Sequence, residues 1–127
     1  MATNRGKRRI QIFSSAARTA TVTSASYTTP YHSGAVVSLY ATALSATPSI
    51  VMKIQGWDVD GAGTWTDILA DAAVTTAAPT ASNLKLYPGA ITAANAALDL
   101  PLPKKWRVVV TAGDADSITY EVFADLF

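Results

Sequence analysis

The clearest structural signal in the sequence is the segment LPLPKKWRVVVTAGDADSITYEVFADLF, residues 100–127. Apolar and polar residues alternate on both sides of Gly113-Asp114-Ala115-Asp116, a run rich in turn-forming residues. Alternation with a period of two is typical of strands that bury one face. The segment therefore predicts two antiparallel strands joined by a tight turn, with six residues in the core: Trp106, Val108, Val110, Ile118, Tyr120 and Val122.

A register for this predicted hairpin follows from placing Asp114 at the centre of the turn. The register then pairs apolar residues with each other, as Trp106–Val122, Val108–Tyr120 and Val110–Ile118. It also places Arg107 opposite Glu121, as an exposed ion pair worth under about 1 kcal/mol. Opposed pairs contribute roughly 0.2–1 kcal/mol each, so several agreeing pairs favour this register over its neighbours.

The rest of the chain contains further short strands separated by turn signals. Residues 36–69 predict a three-strand meander, whose second turn is Asp58-Val59-Asp60-Gly61-Ala62-Gly63. A short strand at Val74 to Ala77, a loop at Pro79, another strand at Asn83 to Tyr87 and one helical turn at Ile91 to Ala97 complete the prediction. About seven or eight short strands at this spacing predict a single antiparallel β-sandwich, all-β and jelly-roll-like.

Composition limits the classes of function. The chain has 127 residues, enough for one domain. It has no cysteine, which excludes disulfides, thiolate metal sites and cysteine nucleophiles. It contains 24 Ala and 16 Thr, so few large side chains remain to fill a deep core. No apolar run approaches the roughly 18–20 residues of a membrane span, and the start lacks the apolar region of a signal peptide. We therefore expect assembly in a cytoplasm and no membrane association.

Charge is distributed unevenly along the chain. Residues 1–50 carry five basic and no acidic residues, whereas residues 51–127 carry five basic and nine acidic ones. We therefore divide the chain into a basic N-terminal arm, residues 1–13, and a sandwich domain, residues 14–127. The arm is the expected partner-binding segment, through Arg5, Lys7, Arg8, Arg9, Ile10, Ile12 and Phe13. Three alternatives remain open for the arm: it could be a solvated tail, bind an acidic protein surface or bind nucleic acid. Nucleic acid is the least favoured, because no aromatic residues are interleaved with the basic ones.

Residues that could carry chemistry are sparse. His32 is the one histidine and lies in a Pro/Gly loop, so no Ser–His–Asp arrangement is indicated. The run beginning at Asp58 resembles the start of a calcium loop, but Ala62 and Leu69 occupy its fifth and twelfth positions. A β-turn is the better interpretation. We therefore predict no catalytic residue, no metal ion and no cofactor.

Several motifs together resemble small structural proteins of tailed bacteriophages. They are SSAARTATVT at residues 14–23, Gly56-Trp57-Asp58, Tyr87-Pro88-Gly89, and the Leu-Pro, Trp-Arg and Ser-x-x-Tyr elements of residues 100–124. The resemblance implies a virion protein on the outer capsid surface, most like a capsid decoration (cement) protein, assembled in the host bacterial cytoplasm. Its implied partners are the major capsid protein and further copies of itself, with a trimer favoured and a dimer possible. The basic extension before Ser14 is not part of this pattern.

Two other functions remain open. The same kind of protein could occupy a tail, neck or fibre-base position in the virion. Alternatively, a carbohydrate-binding sandwich could stack sugar rings on Trp57, Trp65 or Tyr40, although the two tryptophans flank one turn and could equally pack beside the core.

Overall fold

The computed structural model describes residues 8–59 and 61–127, with the backbone alone for residues 78–80. These residues form an all-β protein whose two sheets pack face to face, which confirms the predicted β-sandwich. The strands are β1 (Arg8–Arg18), β2 (Val22–Thr23), β3 (Tyr27–Thr28), β4 (Ala35–Leu44), β5 (Ile50–Trp57), β6 (Trp65–Ala70), β7 (Ala78–Leu86), β8 (Ala97–Leu98), β9 (Lys105–Ala112) and β10 (Ile118–Leu126).

Each sheet contributes its inward face to one core. The first sheet has the order β1-β10-β4-β7-β8, and the second has the order β2-β9-β5-β6 with β3 also paired to β9. All pairings are antiparallel except that of β7 with β8. The six residues of the closing segment that were predicted to be buried are all at most 1% exposed, which confirms their place in the core. In the part of the chain that is described, no helix is long and apolar enough to cross a membrane.

The predicted hairpin between the last two strands is wrong. β9 pairs with β5 in the second sheet, whereas β10 lies between β1 and β4 in the first. The connection at residues 113–117 therefore crosses from one sheet to the other. Arg107 and Glu121 consequently do not pair, because their strands present these residues on opposite outer faces of the sandwich. Alternation correctly identified the buried face of each strand but could not identify its lateral neighbour.

The predicted meander is also only partly correct. β5 and β6 form the expected hairpin, but β4 belongs to the other sheet. The turn between β5 and β6 is as predicted. Asp58 adopts a φ of 55°, and its carboxylate accepts a hydrogen bond of 2.6 Å from the Gly63 amide. Asp60 lies outside the described residues.

The Ala/Thr-rich region departs from its prediction. Val74 forms a single bridge to Ile50 instead of starting a strand, and β7 begins at Ala78 and continues through Pro79. The helical turn expected at Ile91 to Ala97 is a turn leading into the two-residue strand β8.

The first strand crosses the boundary that the sequence suggested at residue 13. β1 pairs along β10 from Arg8 opposite Leu126 to Arg18 opposite Ile118. Ile12 is buried, and Ile10 and Phe13 pack against the core. Residues 8–13 therefore belong to the first sheet, because their apolar side chains alternate inward like those of the other strands.

Candidate docking surface

One end of the sandwich, which we call the Phe127 end, is built from four segments. They are the loop at residues 29–34, the β5–β6 turn at residues 58–64, the loop at residues 99–104 and the C-terminal Phe127. The amides of Ser33 and Gly34 both donate to the Phe127 carbonyl at 2.9 Å, and the Leu102 amide donates to the Ser33 carbonyl at 2.8 Å. Gly56 packs against both Pro103 and Val59, which connects the turn to the same assembly. The loops therefore form one continuous surface.

Large apolar side chains are exposed mainly at this end. Among the described residues, five of the seven exposed large hydrophobic residues lie here: Tyr31 (92%), Val59 (46%), Leu100 (46%), Trp57 (38%) and Phe127 (37%). A sixth, Ile91 (90%), lies in the β7–β8 loop, which is joined to this end by the hydrogen bond from the Gly89 amide to Asp99. The seventh, Leu44 (39%), lies at the opposite end. Clustered exposed apolar residues commonly mark interaction sites.

At the Phe127 end, basic and acidic side chains differ in how many have partners within the described part of the chain. Arg8 and Lys104 are exposed, and no hydrogen bond or ion pair of either side chain occurs among the described residues. Three acidic residues of this end are engaged: Asp58 accepts from Gly63, Asp99 accepts from Gly89 at 2.7 Å, and Asp125 pairs with Arg9 at 3.4 Å. Among the described residues of this end, Arg8 and Lys104 therefore have no side-chain partner, whereas these three carboxylates each have one.

A cluster of tryptophans and cations extends this surface onto the second sheet. The rings of Trp57 and Trp65 meet edge to face with centroids 5.3 Å apart. Lys105 Nζ lies 5.1 Å from the centroid of Trp57, and the Arg107 guanidinium lies 4.1 Å from that of Trp65. Such cation–π contacts hold both cations beside the rings. Trp57 and Trp65 thus pack beside the core, on the outer face of their sheet.

Polar hydrogen bonds continue from this cluster along the sheet. Gln55 accepts from Arg107 Nε at 2.8 Å and donates to Asp67 at 2.7 Å, and Asp67 also pairs with Lys53 at 3.2 Å. Burial acts to raise the pKa of Asp67, but the hydrogen bonds from Gln55 and Lys53 and the charge of Lys53 bring the pKa below its usual value. The outer face of the second sheet is therefore covered by mutually satisfied side chains.

The first sheet has a comparable network on its own outer face. The Arg9 guanidinium lies 4.5 Å from the Phe123 centroid and donates to the Tyr40 hydroxyl at 3.0 Å. Tyr40 is consequently separated from the two tryptophans by the whole thickness of the sandwich. The three aromatic residues that the sequence offered for sugar stacking do not form one platform.

The residues predicted to bind a partner fall into three groups. Arg5 and Lys7 lie outside the described residues. Arg8 and Arg9 are exposed near the Phe127 end, with Arg9 held by Asp125. Ile10, Ile12 and Phe13 pack on the chain's own core.

His32 lies in the loop at residues 29–34 and is partly buried, with its Nε2 atom unpaired in the part of the chain that is described. Within the described residues, no group of three or more His, Cys, Asp or Glu residues could hold a metal ion. A groove of 440 Å³ lies beside β7 and is lined by polar, aromatic and aliphatic residues: Asn83, Lys85, Tyr87, Ile91, Ala93, Ala96 and Ala97.

Sequence reasoning missed the most exposed members of the Phe127 end. Tyr31 follows Pro30, Ile91 lies two residues after Gly89, and Leu100 precedes Pro101. Each is a large apolar residue within two positions of a proline or glycine, where neither strand nor helix directs it into the core. That combination is a usable signal for an interaction surface.

Searches of protein-family models, of curated proteins and of solved structures gave no match to this chain.

Proposed function

We propose that this chain is a structural protein of a tailed-phage virion that binds the outer capsid surface as a decoration protein. In this role it bridges neighbouring capsid subunits and stabilises the shell. The observation that carries the proposal is the concentration of exposed apolar side chains at the Phe127 end, above all Tyr31, Leu100 and Trp57. The sequence motifs that resemble tailed-phage structural proteins supply the kind of partner.

The energetics of such docking favour many weak contacts. Burying a large apolar side chain contributes about 1.5–3 kcal/mol, and association costs several kcal/mol in lost freedom. A few exposed side chains on one copy therefore support modest affinity. A homo-oligomer, with a trimer favoured over a dimer, would present several Phe127 ends to one lattice and gain avidity.

The basic N-terminal residues fit this arrangement. Arg8 lies opposite Leu126, so the chain enters the sandwich at the Phe127 end. We expect residues 1–7 to add contacts to the capsid. Deleting residues 1–7 should leave the Tm unchanged and weaken capsid binding, whereas deleting residues 1–12 also removes Ile12 from the core and should lower the Tm. Undiminished binding after the first deletion would remove these residues from the mechanism.

The direct experiment is cosedimentation of the purified protein with phage heads that lack it. Saturable binding in many copies per head, and an increased melting temperature of the heads, are expected. Electron microscopy of virions with a tagged copy separates this role from a tail, neck or fibre-base position, because decoration predicts label over the whole head. Label confined to the tail would reject decoration.

A carbohydrate-binding module is the second candidate, and the exposure of Trp57 beside Trp65 favours it. The faces of both rings are, however, shared with Lys105 and Arg107, which a stacking sugar would have to displace. A glycan array decides this candidate. Binding that disappears in Trp57→Ala would support it, and signals at background would end it.

A further inference from the structure

We propose that Thr29 is a positioning residue of the Phe127 end, and that its buried hydroxyl holds Tyr31 in the conformation that meets the partner. This inference rests on the proposed function and adds to it the residue that prepares the surface before binding. Thr29 is only 7% exposed, whereas Tyr31, two residues later, is 92% exposed. An effect of Thr29 on docking must therefore act through the side chains that its loop presents.

Three hydrogen bonds hold Thr29 in place. Its hydroxyl accepts from the indole Nε1 of Trp106 at 2.8 Å. Its amide donates to the Lys104 carbonyl at 2.9 Å, and its carbonyl accepts from the His32 amide at 3.2 Å. Trp106 is fully buried and belongs to β9. The hydroxyl of Thr29 therefore joins the loop at residues 29–34 to the core, and the amide joins it to the loop at residues 99–104.

The chain between Thr29 and Tyr31 has little backbone freedom, because the residue between them is Pro30. Proline fixes its own φ and restricts the residue before it to extended conformations. Beyond Tyr31, the amides of Ser33 and Gly34 both donate to the Phe127 carbonyl at 2.9 Å. The loop is thus held on both sides of Tyr31, and the position of Thr29 sets the direction in which the tyrosine leaves the core.

The hydroxyl of Thr29 has a role that the backbone bonds cannot replace. Within the described residues, the bond from Trp106 is the only hydrogen bond that joins a side chain of this loop to a buried side chain. Without the hydroxyl, the indole N–H would be buried with no partner, which favours conformations in which it reaches another acceptor or water. A loop that is ordered before binding loses less conformational freedom when a partner docks. Loss of the hydroxyl should therefore weaken docking as well as folding.

Thr29→Val tests this role, because valine has the shape of threonine without the hydroxyl. The substitution should lower the Tm and, at temperatures well below the Tm, weaken cosedimentation with heads that lack the protein by about five- to tenfold. Thr29→Ser keeps the hydroxyl and should restore most of the binding. Arg18→Met is the control for stability alone, since Arg18 lies opposite Ile118, at the other end of the sandwich. It should lower the Tm and leave head binding unchanged.

A double-mutant cycle tests whether Thr29 acts through Tyr31. Tyr31→Ala should weaken head binding by removing an apolar contact. Thr29→Val should then weaken binding much less in the Tyr31→Ala protein than in wild type, so that the two effects do not add. Hydrogen exchange of the wild-type protein tests the ordering of the loop without any substitution. The amides of His32 and Ser33, which both donate to carbonyls, should exchange slowly in the free protein.

The outcomes separate the two proposals. If the wild-type protein does not bind heads, the proposed function fails and this inference fails with it. If wild type binds but Thr29→Val binds equally well, or Arg18→Met loses as much binding, only the positioning role of Thr29 is overturned. Additive effects in the cycle, or fast exchange at His32 and Ser33 in the free protein, would overturn that role too.

Discussion

Arg18 offers the sharpest test of how this sandwich is held together. The register of β1 against β10 shifts between Phe13, opposite Val122, and Ala16, opposite Tyr120, so β1 carries one extra residue there. The Arg18 guanidinium lies at this irregularity and donates to the carbonyls of Tyr120 at 2.7 Å, Ser14 at 2.6 Å and Ala16 at 3.3 Å. It also lies 4.6 Å from the centroid of the Tyr120 ring. One side chain thus satisfies carbonyls that an interrupted ladder leaves open.

The magnitude follows from these bonds. A hydrogen bond from a charged donor contributes about 1.5–3 kcal/mol net, and less where water competes, as at Ser14 and Ala16. We expect Arg18→Met, which keeps the aliphatic stem, to lower the free energy of unfolding by about 2 kcal/mol. At this chain length the Tm should fall by about 6–10 °C. Arg18→Lys should lower the free energy of unfolding by about half as much, because an ammonium group lacks the planar guanidinium geometry that reaches several carbonyls.

Arg9→Met is the matched control. Arg9 lies on the same strand, contacts the ring of Phe123 and forms an ion pair with Asp125, but both charged side chains are 53% exposed. Arg9→Met should lower the free energy of unfolding by under about 1 kcal/mol. Thermal and urea denaturation followed by circular dichroism measure both variants, and hydrogen exchange should accelerate at residues 14–17 in Arg18→Met alone. Equal destabilisation by the two substitutions would refute the assignment of a bridging role to Arg18.

Three further substitutions probe burial, charge and close packing. Burial raises the pKa of Tyr120 to about 12 despite the opposing charge of Arg18, and its hydroxyl has no partner among the described residues. Tyr120→Phe should therefore be at least as stable as wild type at pH 7. It should also lose less stability than wild type as pH rises from 10 towards 12, although the raised pKa of Tyr27 keeps part of that loss; a Tm series against pH checks both. The pKa of Asp67 is lowered in the folded protein. The ionised carboxylate therefore stabilises the fold at pH values above the unfolded-state pKa of 3.8, and this stabilisation is lost as the pH falls further. Asp67→Asn should flatten that acid limb in urea titrations, and an unchanged limb would contradict the network. A Cβ at Gly34 would approach Tyr87 Cβ to 2.5 Å, so Gly34→Ala should destabilise by about 1–3 kcal/mol in urea denaturation, and a neutral result would show that the loops adjust freely.

The closing segment illustrates what alternation can and cannot predict. Trp106, Val108 and Tyr120 are buried as expected, because a period of two fixes which face of a strand is apolar. The apolar matches that supported the hairpin register are equally satisfied when the two strands face each other across a sandwich core. Only the outward-facing residues distinguish one lateral neighbour of a strand from another. Arg107 contacts Gln55 and Trp65 on its own sheet. These contacts depend on where β5 and β6 lie in the whole fold.

The candidate surface was less predictable than the core. The charge imbalance pointed to the N-terminal segment, and Arg8 does lie near the Phe127 end. Ile10 and Ile12 could not be assigned from sequence, because an apolar residue at the start of a chain fits an arm and an edge strand equally well. Tyr31 and Leu100 are more than sixty residues apart in sequence, and their loops are joined by backbone hydrogen bonds from Leu102 to Ser33 and from Thr29 to Lys104. Such convergence of loops is a property of the tertiary structure.

The motifs that carry the phage resemblance have structural roles in this fold. Arg18 bridges the irregular β1–β10 pairing, and Gly89 adopts a φ of 89° in the turn after Tyr87. Trp106 is fully buried, and its indole Nε1 donates to the Thr29 hydroxyl at 2.8 Å, fixing the loop that leads to Tyr31. A resemblance built on such residues bears more directly on a shared scaffold than on a shared partner. Under the proposed function, partner specificity resides in the side chains exposed at the Phe127 end, and substitutions there, not in the motifs, therefore test that function.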